Sequence, residues 1–219
     1  MTEHEKMLAG NLIYDPFSEG MDFLSGFGSW EISWKPGCTA SWRGATVPFD
    51  TETEKRKEIL DELLPNRGEN VYLQGPIYFD FGTNISIGKD SYANFNFIIL
   101  DEGRVTIGES VFIGPNVSML TAIHPLRYQD RNSFFNEKTG NVTNLEYTAP
   151  ITIEDNCWIA ASVTICGGVT IGAGSVIGAG SVVTKDIPPN SFAVGNPCRV
   201  IREITEKDSL ENHPELFAK

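Results

Sequence analysis

A period of six residues governs the stretch from Ile151 to Ile187. Every sixth position holds an aliphatic residue, namely Ile153, Ile159, Ile165, Ile171, Ile177 and Val183. A second inward-facing column of small or β-branched residues keeps the same spacing and consists of Cys157, Val163, Val169, Ser175 and Ser181. Because neither a helix nor an alternating strand has this period, the spacing predicts a three-sided parallel coil. Each hexapeptide forms one flat side and turns one aliphatic residue inward.

The alternative for such a composition is an ordinary β-sandwich, but its hairpin loops vary in length and would break a fixed spacing. The rhythm begins irregularly after Val71, in two groups: Ile87, Ala93 and Ile99, then Ile107, Ile113 and Met119. A tight turn at 101–103 separates the groups. The rhythm stops between Met119 and Ile151. This polar segment is predicted to loop outward, and long loops on a rigid repeat scaffold often carry function.

These patterns divide the chain of 219 residues into three parts. Residues 1–70 form an N-terminal helical and aromatic-rich region. Residues 71–200 form the coil, with an extruded loop at about 121–150. Residues 201–219 form a tail, which we expect to be a surface helix from Ile201 onward. The predicted fold class is therefore dominated by β-structure.

Two helices are predicted in the N-terminal region. Residues 1–14 fit a short amphipathic helix, and Thr51 to Leu64 fits a second helix with a capping box at Thr51 and Glu54. Between them, the segment from Phe17 to Phe49 is rich in glycine and aromatic residues and has no period. It is either a packing lid over the end of the coil or an aromatic wall beside a ligand.

Composition bears on partners and location. The net charge of -12 argues against a nucleic-acid partner, since phosphate binding needs a basic surface. No apolar run approaches the roughly 18 residues that span a bilayer, and the N-terminus MTEHEKMLAG carries charges where a signal peptide needs an apolar core. We therefore expect a cytoplasmic protein without a membrane partner. Its four cysteines form no CxxC pair and are expected to be reduced.

The strongest catalytic candidate is His124. It stands at the start of the extruded loop, and the loop returns with Glu146 just before the coil resumes. A histidine on a rigid edge with a carboxylate nearby can act as a general base near neutral pH, while the carboxylate fixes its tautomer. The alternative is a solvated surface histidine. A catalytic zinc site is disfavoured because it usually takes three protein ligands, often histidines.

Further motifs lie along the chain. They are MLAG and YD within the first 15 residues, GENV at 68–71, YANFN at 92–96, HP at 124–125, PITI at 150–153, IGAGSVVTKDIP at 177–188 and GNPCRVIREI at 195–204. As a set they resemble the hexapeptide-repeat acyltransferases, specifically the maltose and galactoside O-acetyltransferase group. The match covers the first 15 residues and most of residues 66–204.

This resemblance implies a left-handed parallel β-helix, an exception to the right-handed crossover rule. It also implies a homotrimer with active sites between neighbouring subunits, and acetyl transfer from acetyl-CoA to a hydroxyl. By matching position, His124 is the base, Glu146 its orienting carboxylate and Asn94 the active-site asparagine. The implied acceptor-binding residues are Asp15, Asp80, Asn94 and Glu102.

The resemblance places acetyl-CoA toward the end of the coil and requires no metal. Trp158 is similar to the tryptophan that lines the pantetheine channel. The implied cofactor-binding residues are Trp158, Ala160, Ala161, Ala179, Thr184, Lys185, Arg199 and Arg202. Cations fit there because CoA carries phosphates.

The implied reaction is a direct transfer without an acyl-enzyme. His124 takes the proton of the acceptor hydroxyl as it attacks the thioester, and backbone N–H groups hold the tetrahedral intermediate. Cys157 and Cys166 fall inside the repeat without a visible base partner, which favours a packing role over a nucleophilic one.

Departures from the group fall on the acceptor side. The Phe17–Phe49 segment replaces a charged helix, Asp80 stands where a small polar residue is common, and the acidic pair is Asp101–Glu102. The loop from His124 to Glu146 is also longer. The acceptor is thus a sugar or a less polar alcohol. Two other hypotheses stay open: the same fold with an amine acceptor or another acyl-CoA donor, and a non-catalytic trimeric scaffold.

Overall fold

The computed structural model of the protein describes residues 53–137, 140–213 and 216. Several expectations lie outside these residues: the helix at 1–14, the segment from Phe17 to Phe49, and the placement of Asp15. Within the described residues, the predicted second helix is present as α1 (Thr53–Leu63). Its end contributes Leu64 to the core, which is 1% exposed.

The coil has three faces, which we name A, B and C in the order in which the chain visits them. Face A consists of β1 (Tyr72–Leu73), β4 (Tyr92–Ala93), β7 (Phe112–Ile113), β14 (Trp158–Ile159), β17 (Val176–Ile177) and β19 (Ser191–Val194). Face B consists of β2 (Ile77–Phe79), β5 (Phe97–Leu100), β8 (Ser118–Leu120), β15 (Thr164–Cys166) and β18 (Val182–Val183). Face C consists of β3 (Ile85–Ile87), β6 (Val105–Ile107), β13 (Ile151–Ile153) and β16 (Thr170–Ile171).

All strand pairs within the three coil faces from β1 to β19 are parallel, and the fold is the predicted left-handed parallel β-helix. The six aliphatic residues of the first column are all buried with 0% exposure. The second column is buried as well, with Cys157 and Val163 at its start. Because each rung turns one aliphatic side chain inward, the core is a continuous stack inside the coil.

The three corners of the coil differ in whether their length stays the same from turn to turn. Register partners are 20 residues apart in the early turns, as in Tyr72 and Tyr92, and 18 apart in Trp158 and Val176. Between Phe112 and Trp158 the separation is 46. The corners from A to B and from C to A keep one length through these turns. The whole difference falls on the corner from B to C, which we call corner BC.

The constant corners use one residue with a positive φ in each turn. From C to A these are Asp90, Ser110 and Asn156, and from A to B they are Asn96, Asn116 and Ser162, with φ between 53° and 61°. Asn, Asp and, less often, Ser tolerate this left-handed conformation, whereas a β-branched side chain does not. The sharp turns are therefore encoded locally, once per rung.

The largest insertion at corner BC is the predicted outward loop, and it carries structure of its own. It contains β9 (Ala122–Ile123), α2 (Tyr128–Arg131), β10 (Phe134–Asn136), β11 (Asn141–Thr143) and β12 (Tyr147–Thr148). β10 and β11 form a hairpin, and β12 pairs antiparallel with β9 at the base of the loop. The two ends of the insertion are thus tied together where it leaves the coil.

The prediction for the start of the tail is wrong. The residues from Arg199 to Glu203 form a strand, β20, that pairs antiparallel with β19. Two short 3-10 helices follow, Glu206–Asp208 and Leu210–Asn212. The strand is favoured because the last rung would otherwise expose an unpaired edge, which β20 covers. No helix among the described residues is long and apolar enough to cross a membrane.

Candidate active site

His124 and Glu146 face each other across the base of the extruded loop. Ile123 of β9 is the register partner of Tyr147 of β12, so His124 and Glu146 occupy the next opposed positions. Nε2 of His124 lies 3.6 Å from Oε2 of Glu146. The histidine side chain is 47% exposed and the glutamate side chain 17% exposed. The carboxylate is therefore positioned to orient an imidazole that solvent and substrate can reach.

The segment after the histidine is held by Arg131, the last residue of α2. Its Nη1 donates to the backbone oxygens of Pro125 at 3.2 Å and Leu126 at 3.3 Å. An arginine can satisfy two carbonyls at once because its donors form a fixed planar fork. Arg131 thus fixes the path of the chain directly after His124. No sequence pattern identifies this residue, since an arginine in a loop gives no indication of which carbonyls it will contact.

Asp101 organises corner BC one turn below the loop. It is fully buried, and its carboxylate accepts hydrogen bonds from three consecutive backbone N–H groups: Asp80 at 2.9 Å, Phe81 at 3.0 Å and Gly82 at 2.8 Å. These bonds stabilise the ionised form, while burial raises the pKa of this carboxyl. Asp101 therefore shapes the turn that carries Asp80.

The same corner brings the side chains of Asp80 and Glu102 together. Each carboxyl group acts on the pKa of the other. Burial, followed by the charge of Glu102, raises the pKa of Asp80 to about 8. The pKa of Glu102 is also raised, mainly by burial, with a further contribution from the nearby charge of Glu146. Acidic side chains therefore extend from this pair toward the carboxylate beside His124.

The base of the loop packs closely on this corner. A Cβ added to Gly103 would lie about 3 Å from the side chains of Thr121 and Thr148, which begin and end the insertion. The Thr121 hydroxyl also accepts from the Gly103 N–H at 2.8 Å. The small residue at 103 thus lets both ends of the loop sit against the turn that holds Glu102.

The predicted asparagine is at a different corner. Asn94 follows β4 at the corner from A to B, and its Oδ1 accepts the N–H of Phe95 at 2.7 Å. The full width of face B separates this corner from corner BC. The four residues of β5 alone span about 13 Å at 3.3 Å per residue. Within one subunit, Asn94 and the start of the loop that carries His124 therefore lie at opposite ends of face B.

The predicted cofactor residues lie around the later turns of the coil. Trp158 is 54% exposed and continues an outer aromatic column on face A, formed by Tyr72, Tyr92 and Phe112. The rings of Tyr72 and Tyr92 are stacked, with centroids 5.6 Å apart. The predicted alanines are at the corner that follows this face: Ala160, Ala161 and Ala179. Gly180 N donates to the Ala161 oxygen, so the two turns stack there.

The predicted cations are exposed at the end of the coil. Thr184 and Lys185 follow β18, and Arg199 begins β20 with its Nη1 bonded to the oxygen of Cys198. Arg202 lies over the ring of Phe192 and makes two hydrogen bonds with Asp208, at 2.6 and 2.8 Å. This ion pair lowers the pKa of Asp208 to about 2. Arg202, which was predicted to contact CoA phosphates, thus has a carboxylate partner in the tail, a contact that no local sequence pattern indicates.

The three cysteines that the structure describes are placed as packing residues. Cys157 is buried, and its thiol donates to the oxygen of Gly172 at 3.3 Å. Burial raises the pKa of this thiol and of Cys198, which opposes thiolate formation. Cys166 is half-buried and is also a free cysteine. In the part of the chain that the structure describes, no group of three or more metal-ligating side chains is present.

Known proteins share both the sequence pattern and the fold. Residues 150–185 match the bacterial transferase hexapeptide family (six repeats). A galactoside O-acetyltransferase of Escherichia coli (strain K12) is 47% identical over 172 residues, which cover 76% of this chain and 80% of that protein. The chain belongs to the hexapeptide-repeat acetyltransferases.

Two solved acetyltransferases of this family superimpose on nearly the whole chain. A maltose O-acetyltransferase from Clostridium difficile 630 is 40% identical, with a TM-score of 0.75, and covers 94% of this chain and 99% of its own. A galactoside acetyltransferase in complex with coenzyme A is 39% identical, with a TM-score of 0.77, and covers 95% of this chain and 94% of its own. The resemblance inferred from the motifs is confirmed.

Proposed function

We propose that the protein is an acetyl-CoA-dependent O-acetyltransferase that acts on a hydroxyl of a sugar or another small alcohol. The observation that carries this proposal is the opposed pair His124 and Glu146 at corner BC, 3.6 Å apart in a chain of this family. An acetyltransferase that moves the group directly needs a base for the acceptor hydroxyl. A histidine held by a carboxylate supplies one.

In the proposed reaction, the acceptor hydroxyl loses its proton to His124 as its oxygen attacks the thioester carbonyl. Glu146 holds the proton on the ring nitrogen that faces it, which leaves the other nitrogen to accept the new one. The carbonyl oxygen becomes negative and is stabilised by backbone N–H groups. The intermediate then collapses to the acetyl ester as the C–S bond breaks, and His124 passes its proton to the sulfur, so that CoA leaves as the thiol. No acyl-enzyme is formed, consistent with the buried Cys157.

We place acetyl-CoA along the later turns, with the pantetheine beside Trp158 and the phosphates near Lys185, Arg199 and Arg202. The residues present fit such a ligand: an exposed indole offers apolar contact, and arginines bind phosphates with two donors. Small residues at 160, 161 and 179 leave room for a chain to approach the coil. Bound CoA supplies the activated acetyl group.

We further propose a homotrimer with active sites between subunits. Asn94 and His124 lie at different corners, so a second copy must bring its asparagine to the histidine. The extruded loop also exposes apolar side chains that a neighbouring subunit can cover: Leu126, Tyr128, Phe134, Phe135 and Val142. Light scattering coupled to gel filtration tests this assembly, and a monomer mass in an active preparation excludes it.

We assign Asp15, Asp80 and Glu102 to the binding of the acceptor. In this proposal residues 1–70 cover the acceptor side, residues 71–200 form the coil and residues 201–219 form the tail. A cytoplasmic location accompanies this proposal, because the three described cysteines are free thiols. The candidate acceptors are a sugar, a less polar alcohol and an amine, and identifying the acceptor distinguishes an O-acetyltransferase from an N-acyltransferase.

The deciding experiment is an acceptor screen that detects free CoA thiol. Galactosides, maltose, aromatic and aliphatic alcohols, and amines are tested side by side, with acetyl-CoA and longer acyl-CoA donors. Release of thiol with a hydroxyl acceptor supports the proposal. Release only with amines supports an N-acyltransferase. If no acceptor is acetylated and millimolar CoA fails to raise the melting temperature, the hypothesis of a non-catalytic scaffold is supported. A ligand that binds the native state must stabilise that state.

A further inference from the structure

The C-terminal tail folds back onto the end of face A and contacts one of the proposed cofactor residues there. Arg202 of β20 is the register partner of Phe192 and lies over its ring, 5.7 Å from the centroid. Phe192 in turn follows Val176 and Trp158 in the outward column of this face. The strands β17 and β19 separate β14 from β20, so Arg202 lies about 14 Å from Trp158 along the face at the usual strand spacing.

Asp208 occupies one edge of the Arg202 guanidinium. Its two carboxylate oxygens accept from Nη1 at 2.8 Å and from Nη2 at 2.6 Å. Nη1 also donates to the backbone oxygen of Glu203 at 3.0 Å. A guanidinium has five N–H donors. The remaining two, Nε–H and one N–H of Nη2, are side by side and have no acceptor among the residues that the structure describes.

The carboxylate of Asp208 is itself held by the tail. The backbone N–H of Thr205 donates to its Oδ2 at 3.0 Å. The Thr205 hydroxyl caps the same 3-10 helix separately, by accepting from the N–H of Lys207 at 3.4 Å. The side chain of Arg202 is 52% exposed and that of Asp208 is 31% exposed. The carboxylate is therefore a fixed acceptor for an arginine that a ligand can still reach.

We propose that Asp208 is a positioning residue for CoA, which holds Arg202 by one edge so that the other edge of the guanidinium binds a phosphate group of the cofactor. The inference rests on the proposed function, because its ligand is the phosphate of acetyl-CoA. Arginine recognises phosphate best through two parallel N–H donors, and two such donors remain. A side chain that is already held in place also avoids the loss of rotamer freedom that binding otherwise costs.

The sign of the effect separates positioning from repulsion. A carboxylate that acted on CoA only through its charge, or by competing for Arg202, would weaken the binding of an anion, so its removal would tighten binding. Positioning predicts the opposite. Asp208→Asn keeps the shape of the side chain, but its amide nitrogen cannot accept a hydrogen bond. We expect the Kd for CoA, measured by calorimetry, to rise about three- to tenfold, the range for ordering one long side chain on binding.

A double-mutant cycle tests whether Asp208 acts through the arginine. In the Arg202→Ala background, Asp208→Asn is expected to have no further effect on the Kd for CoA. Arg202→Lys keeps the charge but has no fork, and is expected to lose most of the affinity that Arg202→Ala loses. These variants are expected to fold, since an exposed ion pair contributes little to stability.

Two controls separate the phosphate from the fold of the tail. Thr205→Val removes the hydroxyl cap of the same helix but keeps the backbone N–H that bonds to Asp208, and its Kd for CoA is expected to equal that of the native protein. Pantetheine carries the thiol arm without the phosphates. Its binding is expected to be the same in the native protein and in Asp208→Asn.

An unchanged or lower Kd for CoA in Asp208→Asn overturns the proposal. An equal loss in Thr205→Val, an equal loss for pantetheine, or an effect of Asp208→Asn that persists without Arg202 also overturns it and leaves the proposed acetyl transfer intact. A native protein that binds no CoA contradicts both. A protein that binds CoA but acetylates no acceptor contradicts the proposed function alone, and calorimetry still establishes the role of Asp208.

Discussion

The corners of this coil divide into two kinds. Those from A to B and from C to A keep one length through the regular turns and are each marked by a left-handed residue, such as Asn116 or Ser110. Corner BC changes length along the coil, with the largest insertion between Leu120 and Ile151. The candidate base, its carboxylate and the acidic pair of Asp80 and Glu102 all lie at this corner or at the base of its loop.

The difference shows how a rigid repeat acquires a site. A corner of fixed length transmits register from one rung to the next, and any change there displaces every later strand. At corner BC the chain leaves and re-enters the coil at neighbouring points, so added residues leave the register intact. Side chains that bind or react can therefore vary in that place. Substitutions at corner BC are therefore expected to change activity, whereas substitutions at the constant corners are expected to change stability.

The largest expected effect belongs to His124. Substitution by alanine removes the proposed general base and is expected to lower acetyl transfer by roughly two to four orders of magnitude. CoA affinity, measured by calorimetry, is expected to stay nearly unchanged, since the imidazole is not a proposed cofactor contact. Full activity in the variant rules out the base assignment.

A smaller effect is expected for Glu146→Gln, because the amide keeps the shape of the side chain but loses the charge that orients and stabilises the imidazole. We expect kcat to fall on the order of tenfold. The matched control is Glu109→Gln, a change in an exposed carboxylate at a constant corner. If both variants lose activity equally, the special role of Glu146 is wrong.

At the constant corners the expected cost is in stability. Ser110 has φ +53°, and valine there is expected to lower the free energy of unfolding by about 1–2 kcal/mol, because a β-branched residue is strained in this region. Ser110→Gly is the control and relieves the strain. Denaturant melts measure both, and equal stability of the two variants contradicts the role of the left-handed residue.

The smallest effect concerns the surface ion pair between Lys89 and Glu109, whose charged atoms are 3.3 Å apart and well exposed. Lys89→Ala is expected to change stability by about 0–1 kcal/mol, and less at high salt. Acetyl transfer is expected to be unaffected. A large loss of activity shows that this constant corner also takes part in the site.

The coil was predictable because its signal is local and repeated: an aliphatic residue such as Ile159 every six positions can be recognised without knowing its partners. The opposition of His124 and Glu146 was also anticipated, since the ends of an insertion must meet. Contacts between distant segments gave no such signal. The residues from Arg199 to Glu203 form a strand because they pair with the otherwise exposed edge of β19. This tertiary contact cannot be recognised from the local sequence, which is polar and compatible with a helix. The pairing of Arg202 with Asp208 likewise depends on that strand.

The antiparallel clamp formed by β9 and β12 makes the insertion an exchangeable part. The two ends of the insertion are hydrogen-bonded side by side, so the residues beyond the clamp do not affect the register of the coil. Doubling the length of a flexible loop costs only about 0.6 kcal/mol in closure entropy. Segments of other lengths and chemistries are therefore expected to graft between His124 and Glu146 without refolding the scaffold or removing the proposed catalytic pair. A single framework of this kind can diversify its acceptors by loop replacement alone.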